Sequence, residues 1–307
     1  MTRFKKMLAM VLTSVLMMSF IPAIVRADQW VYLGGNDWAY KDNYGKYCFH
    51  TWIYSGNKVY YVNKSGFMAS SYNYPFGVII DGSRYFFNKK GELQKNTWYK
   101  GSDGETTFWY YLNNKGNPCT GWKKIGSKWY YFDLEYGFMF NQELSGLQID
   151  GKRYFFDKSG AMLSNCWAKV ESSSGDYSWF YLNKSGNPCT GWKKIGGKWY
   201  YLDPDLEGKM VANAWREDPV GSGDWYHFDK SGVMETKKWI KEVDEEDGSV
   251  CWYYQLSNGK GAIGWQKISK KWYYFDPDTA GRCVMDTSRE INGKVYKFDK
   301  NGVCTNP

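Results

Sequence analysis

The chain is poor in the residues that most enzymes use for catalysis. Among its 307 residues there are two histidines, His50 and His227, and neither has a cysteine or carboxylate at the spacing of a metal site or a catalytic triad. No glycine motif of the kind that cradles phosphate is present. The one acidic cluster, Asp244–Asp247, lacks the spaced ligands of a calcium loop, so we interpret it as a solvated hairpin tip. The sequence therefore predicts no catalytic residues, no metal and no cofactor.

Leucine and isoleucine are also scarce, which excludes an ordinary aliphatic core. Instead, 17 Trp, 27 Tyr and 17 Phe make up 20% of the chain. Tyr and Trp tolerate a half-solvated position because each combines an apolar ring with a polar group. The sequence therefore predicts a core built from aromatic rings.

The only long apolar run lies at the beginning of the chain. Met7–Ala23 is apolar, follows the basic stretch MTRFKK and precedes a small residue, Ala27. This order is that of a secretory signal peptide, which predicts removal of residues 1–27 and a mature chain of residues 28–307. A membrane anchor is the alternative, but the run is short and no later segment resembles a transmembrane helix.

The charge of the mature chain is mild. The net charge is +8, and four basic residues lie within residues 1–27, which leaves the mature chain at +4. This value gives no argument for nucleic acid as a partner. It is compatible with a weak attraction to an anionic surface polymer.

Seven cysteines remain in the mature chain, an odd number, so at least one is not in an intramolecular disulfide. Cys48, Cys119 and Cys189 occupy one repeated position shortly before a Trp. A disulfide framework usually joins different positions of a small domain. We therefore predict that these three are thiols that pack as small apolar residues.

A repeat fills the mature chain. The stretches TGWKKIGSKWYYFD (Thr120–Asp133) and TGWKKIGGKWYYLD (Thr190–Asp203) differ at two of fourteen positions. Related units begin near Trp30, Trp52, Gly77, Trp98, Trp122, Gly146, Trp167, Trp192, Trp215, Trp239, Trp265 and Ser288. These twelve units leave no room for a separate catalytic domain, so we expect that the chain is not an enzyme.

Each unit has the pattern of a β-hairpin. Asp-Gly in IDGK (Ile149–Lys152) and Asn-Gly in INGK (Ile291–Lys294) suit a type I′ turn, and the strand KWYYFD is rich in β-formers. An isolated hairpin is barely stable in water, so the units must stack on one another. Every third unit is alike, which predicts an all-β solenoid of twelve stacked hairpins with about three hairpins per superhelical turn.

Sixteen of the seventeen tryptophans form pairs within these units. The pairs are Trp30 and Trp38, Trp98 and Trp109, Trp122 and Trp129, Trp167 and Trp179, Trp192 and Trp199, Trp215 and Trp225, Trp239 and Trp252, and Trp265 and Trp272. Trp52 is unpaired because Val59 replaces its partner. The pairs are candidates for binding a quaternary ammonium group, which is held by the negative faces of aromatic rings. The alternative is that the rings only fill the interior of the solenoid.

The motif GWKKIGSKWYYFD, followed by a later Gly-x-Met, resembles the choline-binding or cell-wall-binding repeat of Gram-positive surface proteins. The resemblance covers nearly all of the mature chain. It implies a left-handed superhelix of β-hairpins that binds choline on teichoic and lipoteichoic acids. It also implies a cage of two Trp from one hairpin and a Tyr from the next, with a Met on the remaining side.

Alignment of the units assigns a third ring to each pair. We expect Tyr61 to complete the 30/38 pair, Tyr131 the 98/109 pair, Tyr201 the 167/179 pair, Tyr254 the 215/225 pair and Tyr274 the 239/252 pair. The other three pairs look impaired, because alignment places Phe155, His227 and Lys297 beside 122/129, 192/199 and 265/272. Arg84, Arg153 and Val295 replace the second Trp, so their units should lack a cage. The Met positions are Met139, Met162, Met210 and Met234, with Cys283 and Cys304 as their equivalents near the end.

Two functions remain open from the sequence. The first is a secreted, non-catalytic surface protein, attached non-covalently to the cell wall through choline. The second is a glycan-binding lectin, because IDGSRYFFNKKGEL (Ile80–Leu93) and IDGKRYFFDKSGAM (Ile149–Met162) resemble the short repeats of glucan-binding proteins and clostridial toxin tails. Aromatic platforms suit sugar rings as well as ammonium groups.

Overall fold

The structure, a computed structural model, describes residues 29–141, 146–172, 174–244 and 248–307. The predicted signal peptide lies outside these residues, and so does most of the acidic cluster Asp244–Asp247. In the described part of the chain the only helical segments are two 3₁₀ turns, Pro204–Leu206 and Pro277–Thr279. No helix there has the length and apolar character that a membrane crossing requires. The predicted all-β class is confirmed.

Nearly all strands pair with their neighbour in sequence as antiparallel hairpins, and the chain divides into two compact units, Met1–Phe140 and Asn141–Pro307. The first unit contains hairpins 1 to 5, which are Gln29–Gly34 with Asp37–Lys41, Thr51–Ser55 with Lys58–Val62, Val78–Ile80 with Ser83–Tyr85, Trp98–Ser102 with Thr107–Tyr111, and Gly121–Ile125 with Lys128–Phe132. The second unit contains hairpins 6 to 12, which are Leu147–Ile149 with Lys152–Tyr154, Trp167–Glu171 with Tyr177–Tyr181, Gly191–Ile195 with Lys198–Asp203, Ala214–Glu217 with Trp225–Phe228, Lys238–Val243 with Val250–Gln255, Gly264–Ile268 with Lys271–Asp276, and Thr287–Ile291 with Lys294–Phe298. Two short strands, Lys209–Met210 and Arg282–Cys283, follow hairpins 8 and 11.

The hairpin tips have the turn geometry that the sequence predicts. Asp150 and Gly151 have φ of 49° and 71°, and Asn292 and Gly293 have φ of 52° and 81°. Positive φ at both central residues defines the type I′ turn, whose twist matches that of the flanking strands. After most hairpins an Asn or Asp closes the next loop: the Asn183 side chain, for example, accepts the backbone N–H groups of Ser185 and Asn187.

Hydrogen bonds from the loops hold successive hairpins together within each unit. The segment that follows one hairpin reaches the preceding hairpin in the chain. There a backbone N–H of the segment donates to the carbonyl of the second Trp. The N–H of Met139 donates to the Trp109 carbonyl at 2.7 Å, and the N–H of Met234 donates to the Trp199 carbonyl at 2.9 Å. These bonds join hairpin 5 to hairpin 4 and hairpin 9 to hairpin 8, which supplies stability that one hairpin lacks.

The core of each unit is a column with one residue from almost every hairpin. The column residue lies three positions after the second Trp or its equivalent, and it is at most 5% exposed. The column consists of Val62, Phe87, Leu112 and Phe132 in the first unit and Phe156, Leu182, Leu202, Phe228, Gln255, Phe275 and Phe298 in the second. The prediction of an aromatic core is thus only partly right, because four of these positions are aliphatic.

Gln255 is the polar exception in this column. It is 0% exposed, and neither its Nε2 nor its Oε1 has a hydrogen-bond partner among the described residues. A buried amide without partners lowers stability by the full cost of its desolvation. Ten other hairpins place Phe, Leu or Val at this position, so the backbone geometry accepts an apolar side chain.

We therefore expect Gln255→Leu to stabilise the fold by about 1–3 kcal/mol, the usual cost of an unsatisfied buried polar group. Thermal and urea unfolding of the whole chain would measure the change. Leu202→Gln, at the same column position in hairpin 8, is the matched reverse substitution and should destabilise. A loss of stability in Gln255→Leu would show that the amide has a partner or a role that the column does not explain.

No disulfide joins the described cysteines, and that Cys48, Cys119 and Cys189 are thiols stays a prediction. Burial raises the pKa of Cys119 and Cys166, and it raises the pKa of Cys283 to about 12. Cys283 lies in the apolar cluster that contains Ala262 and Phe275. Its surroundings disfavour the thiolate, which is the reactive form.

At pH 8 we expect Cys283 to resist alkylation in the folded protein, because about one molecule in ten thousand carries the thiolate when the pKa is near 12. Iodoacetamide labelling followed by peptide mass spectrometry would give the rate for each cysteine. In denaturant Cys283 should react as fast as a free thiol. Rapid labelling in the folded state, or a Cys48, Cys119 or Cys189 disulfide, would contradict this description of the thiols.

Candidate aromatic binding site

Six of the eight predicted tryptophan pairs form one recurring contact. In each, the two indole rings meet edge to face, with centroids 6.3–6.5 Å apart and interplanar angles of 79–88°. The pairs are 98/109, 122/129, 167/179, 192/199, 239/252 and 265/272. In the described structure the 30/38 and 215/225 pairs have the same strand register but not this ring contact.

The strand register explains the contact. In hairpin 8, Trp192 lies opposite Tyr201. Lys194, which is two residues after Trp192 on the same strand, lies opposite Trp199. Residues two apart on a strand share a face, so both indoles and Tyr201 project from the same side of the hairpin. The two tryptophans are diagonal neighbours across the strands, a separation that large rings can bridge.

The second Trp of most pairs is open to solvent. Trp109, Trp129, Trp179, Trp199 and Trp272 are 37–43% exposed. The first Trp is half-buried in each case. Five of the six first tryptophans also contact a ring of the next hairpin. Exposed indoles would be unfavourable if these rings served only to pack the fold. A row of them is typical of a binding surface.

A tyrosine of the following hairpin supplies the third ring. Tyr60 lies 5.1 Å from Trp30, Tyr130 lies 5.0 Å from Trp98, and Tyr200 lies 5.0 Å from Trp167 between ring centroids. The same contact joins Tyr226 to Trp192, Tyr253 to Trp215, Tyr273 to Trp239 and Tyr296 to Trp265, at 4.7–5.1 Å.

The third rings predicted from the alignment are therefore wrong by one residue. Each predicted tyrosine contacts the first Trp of its own hairpin instead, at 5.1–5.2 Å. These contacts are Tyr61 with Trp52, Tyr131 with Trp122, Tyr201 with Trp192, Tyr254 with Trp239 and Tyr274 with Trp265.

The prediction that three pairs are impaired must be corrected for the same reason. His227 contacts Trp215 of its own hairpin at 4.9 Å, and Tyr226 faces Trp192 instead. Lys297 lies opposite Ser288 in its own hairpin, and Tyr296 faces Trp265. Phe155 packs on Phe180 of hairpin 7, 5.5 Å away. The 192/199 and 265/272 pairs therefore have a complete set of three rings.

Two of these sites enclose a cavity. One, of about 250 Å³, is lined by Trp167, Trp179, Tyr200, Met210, Lys230 and Ser231. The other, of about 370 Å³, is lined by Trp265, Trp272, Tyr296 and Pro307. Met210 thus lies where the family resemblance places a Met, on the side of the cavity that the rings leave open.

Hairpins 3 and 6 have an arginine in the register of the second Trp, and that they lack a cage stays a prediction. Arg153 lies opposite Gln148, in the register of a second Trp, and Gly146 takes the place of the first. The Arg153 guanidinium lies 4.8 Å from the Phe180 ring centroid and forms an ion pair with Glu207 at 3.1 Å. Phe86 of hairpin 3 and Phe155 of hairpin 6 fill the space by packing on the hairpin that follows.

Carboxylates bind two of the first tryptophans through the indole N–H. The Trp192 Nε1 donates to Asp218 at 2.8 Å, and Tyr201 donates to the same carboxylate at 2.9 Å. The Trp215 Nε1 donates to Glu242 at 2.6 Å. His227 bonds to the buried Glu235 at 2.6 Å and is therefore part of a structural network. Among the described residues no group of three or more potential ligands lies together as a metal site would require.

Models of two repeat families match segments of the chain. The choline-binding repeat matches residues 119–167 and 262–304. The putative cell wall binding repeat matches residues 50–68, 190–205 and 213–234. The resemblance noted in the sequence is confirmed by these matches.

Curated relatives and solved structures contain similar repeats. Glucosyltransferase-S of Streptococcus mutans is 29% identical over 270 residues, which are 78% of this chain and 16% of the relative. Glucosyltransferase-I of Streptococcus downei is 27% identical over 316 residues, which are 88% of this chain and 18% of the relative. The chain thus spans less than a fifth of these relatives' length. The structure of the modular autolysin LytC from Streptococcus pneumoniae is 26% identical, with a TM-score of 0.51, over 82% of this chain and 52% of that chain.

The corrected third ring gives a direct test. Tyr200→Ala removes the ring that faces Trp167 and should weaken ligand binding at the 167/179 site with a modest loss of stability. Tyr201→Ala removes a 4% exposed ring that packs on Trp192 and should mainly destabilise the fold. Titration of tryptophan fluorescence with choline, beside thermal unfolding, separates the two effects. If Tyr201→Ala abolished binding at 167/179 and Tyr200→Ala did not, the ring assignment would be refuted.

Proposed function

Because its repeats match choline-binding and cell-wall-binding families, we propose that this chain is a secreted, non-catalytic protein that attaches non-covalently to cell walls by binding choline. The observation that carries the proposal is the recurring cage of two perpendicular indoles and a tyrosine, with the second indole exposed. Choline has a permanent positive charge and no conventional N–H donor, so aromatic faces are the suitable partner.

The magnitudes favour many weak sites over one strong site. Each desolvated cation–π contact contributes about 1–2 kcal/mol, so three rings contribute roughly 3–6 kcal/mol before the cost of association. This corresponds to a dissociation constant near the millimolar range. A polymer that carries many cholines gains affinity when several cages bind it at once, because each later contact is intramolecular.

Packing alone does not account for the cages. Where a hairpin needs only bulk, this chain uses other side chains: Phe86 and Phe155 fill the place of a Trp pair, and Val59 stands opposite Tyr54 in hairpin 2. The exposed second indoles add little to the core, since the buried column already provides it. Their recurrence in six hairpins therefore supports a ligand.

A glycan is the second candidate, and two observations favour it. The curated relatives are named glucosyltransferases, and hairpins 3 and 6 have an arginine in the register of the second Trp. Beside hairpin 6 lies a cavity of about 460 Å³ whose lining includes Phe155, Lys169, Glu171 and Tyr177. Aromatic rings combined with charged hydrogen-bonding groups suit a sugar. Its described lining contains no tryptophan, and Phe155 and Tyr177 belong to this cavity and to no cage, so the two functions are distinguishable.

We expect the full chain to be retained on a quaternary-amine resin and to be eluted by free choline but not by a neutral α-glucan such as dextran. Trp272→Leu should remove one of the five cages with three described rings and reduce the choline-dependent fluorescence change by about one fifth. Tyr54→Leu, which removes a ring that is 74% exposed in a hairpin without a cage, is the matched control and should leave it unchanged. Elution by dextran alone would favour the glycan function, and equal loss in both variants would contradict the cage assignment.

A further inference from the structure

A lysine accompanies every Trp pair that has the edge-to-face contact. It lies directly opposite the second Trp on the partner strand, as Lys100, Lys124, Lys169, Lys194, Lys241 and Lys267 in the six hairpins concerned. The two pairs without that contact have Tyr32 and Glu217 at this position. The four hairpins without a second Trp have Tyr54, Ile79, Gln148 and Glu290 there. The lysine at this position therefore occurs only in the hairpins whose two tryptophans are in edge-to-face contact.

The ammonium group lies beside the exposed indole. The Lys267 Nζ is 5.5 Å from the Trp272 ring centroid, and the Lys194 Nζ is 5.9 Å from that of Trp199. The Lys169 Nζ is 5.9 Å from the Trp179 centroid and also lies over Tyr177. Side chains directly opposite each other on two strands share one face of the hairpin. The lysine charge is thus on the same face as the cage.

This arrangement is unfavourable for a ligand that is only a cation. A quaternary ammonium in the cage would lie within a few ångströms of the lysine ammonium, and like charges at that separation repel each other. An uncharged side chain could support the indole equally well. The recurrence of lysine indicates that the ligand carries an anionic group next to its cation.

We propose that the lysine opposite the second Trp binds the phosphate of a choline phosphoester, so that each cage recognises the zwitterion and not choline alone. The inference rests on the proposed choline-binding function and adds a second recognition element to the same site. The ammonium of such a ligand occupies the three rings. Its phosphate, two carbons away, lies at the open edge of the cage, where the flexible lysine stem can bring an N–H donor to a phosphate oxygen.

The 265/272 cage is the cleanest place to test this inference. Its described lining consists of Trp265, Trp272, Tyr296 and Pro307, and the Lys267 Nζ lies 5.5 Å from the Trp272 ring centroid. The 192/199 cage is less suitable because Asp218 bonds to its first indole. Lys271, in the same hairpin and next to Trp272, pairs with Ile268 and is exposed. By strand alternation its side chain points away from the cage, so it is a matched control.

The full chain labelled with 5-fluorotryptophan would report on each cage by fluorine NMR, with the Trp272 signal assigned by its loss in Trp272→Phe. Choline, phosphocholine and inorganic phosphate are titrated at constant ionic strength. In the native chain we expect phosphocholine to bind about two- to five-fold more tightly than choline, the range of an exposed ion pair. Lys267→Met should abolish this preference while choline binds as before or more tightly. Lys271→Met should behave as the native chain.

Three results would overturn the inference while the choline-binding function stands. One is equal affinity for choline and phosphocholine in the native chain. Another is a preference that survives in Lys267→Met. A third is an equal loss of both ligands in Lys267→Met, which would make the lysine a residue that positions the indole. If inorganic phosphate alone moved the Trp272 signal and choline did not, or if no ligand moved it, the proposed choline-binding function would fail as well.

Discussion

The alternation of side chains across a strand is the constraint on which the rest of this structure depends. Each hairpin has two faces, and in a stack one face points to the next hairpin and the other to the previous one. In hairpin 5, Trp129 and Tyr131 lie on the face that carries Trp122, whereas Tyr130 and Phe132 contact Trp98 of hairpin 4. Four consecutive aromatic residues thus serve two different interfaces. The cage is the outer, solvent-exposed part of the same contacts that hold the stack together.

Much of this arrangement follows from the sequence. The repeat, the turn residues and the tryptophan pairs are sufficient for the all-β stack and for the two rings that each hairpin contributes. Unit-to-unit alignment misplaces the third ring by one residue, because it shows which residues recur and not which neighbouring hairpin they face. The alternation within KWYYFD already separates Tyr130 from Tyr131. Since hairpin 5 presents its rear face to hairpin 4, the ring that reaches Trp98 has to be Tyr130.

Other features depend on three-dimensional packing that no local pattern contains. Phe86 and Phe155 substitute for missing indoles because Gly77 and Gly146 leave room beside them, with ring atoms about 3 Å from where a Cβ would lie. Gln255 occupies a column that elsewhere holds apolar side chains, and its sequence context, VCWYYQL, gives no sign that its amide is buried. The lysine that accompanies the cages is visible in GWKKI, but its significance depends on knowing that it lies opposite the second Trp.

The sharing of rings between core and cage has an energetic consequence. Trp98 contacts Trp109 and Tyr111 in its own hairpin and Tyr130 and Phe132 in the next, so it stabilises the stack as well as the site. A ligand held between Trp98, Trp109 and Tyr130 joins the same two hairpins and is bound only when they are stacked. At ten times its dissociation constant, such a ligand would stabilise the stack by about 1.4 kcal/mol for each occupied cage. On the proposed function, binding and unfolding are therefore linked equilibria, and the stability of the stack should increase with the number of cages occupied.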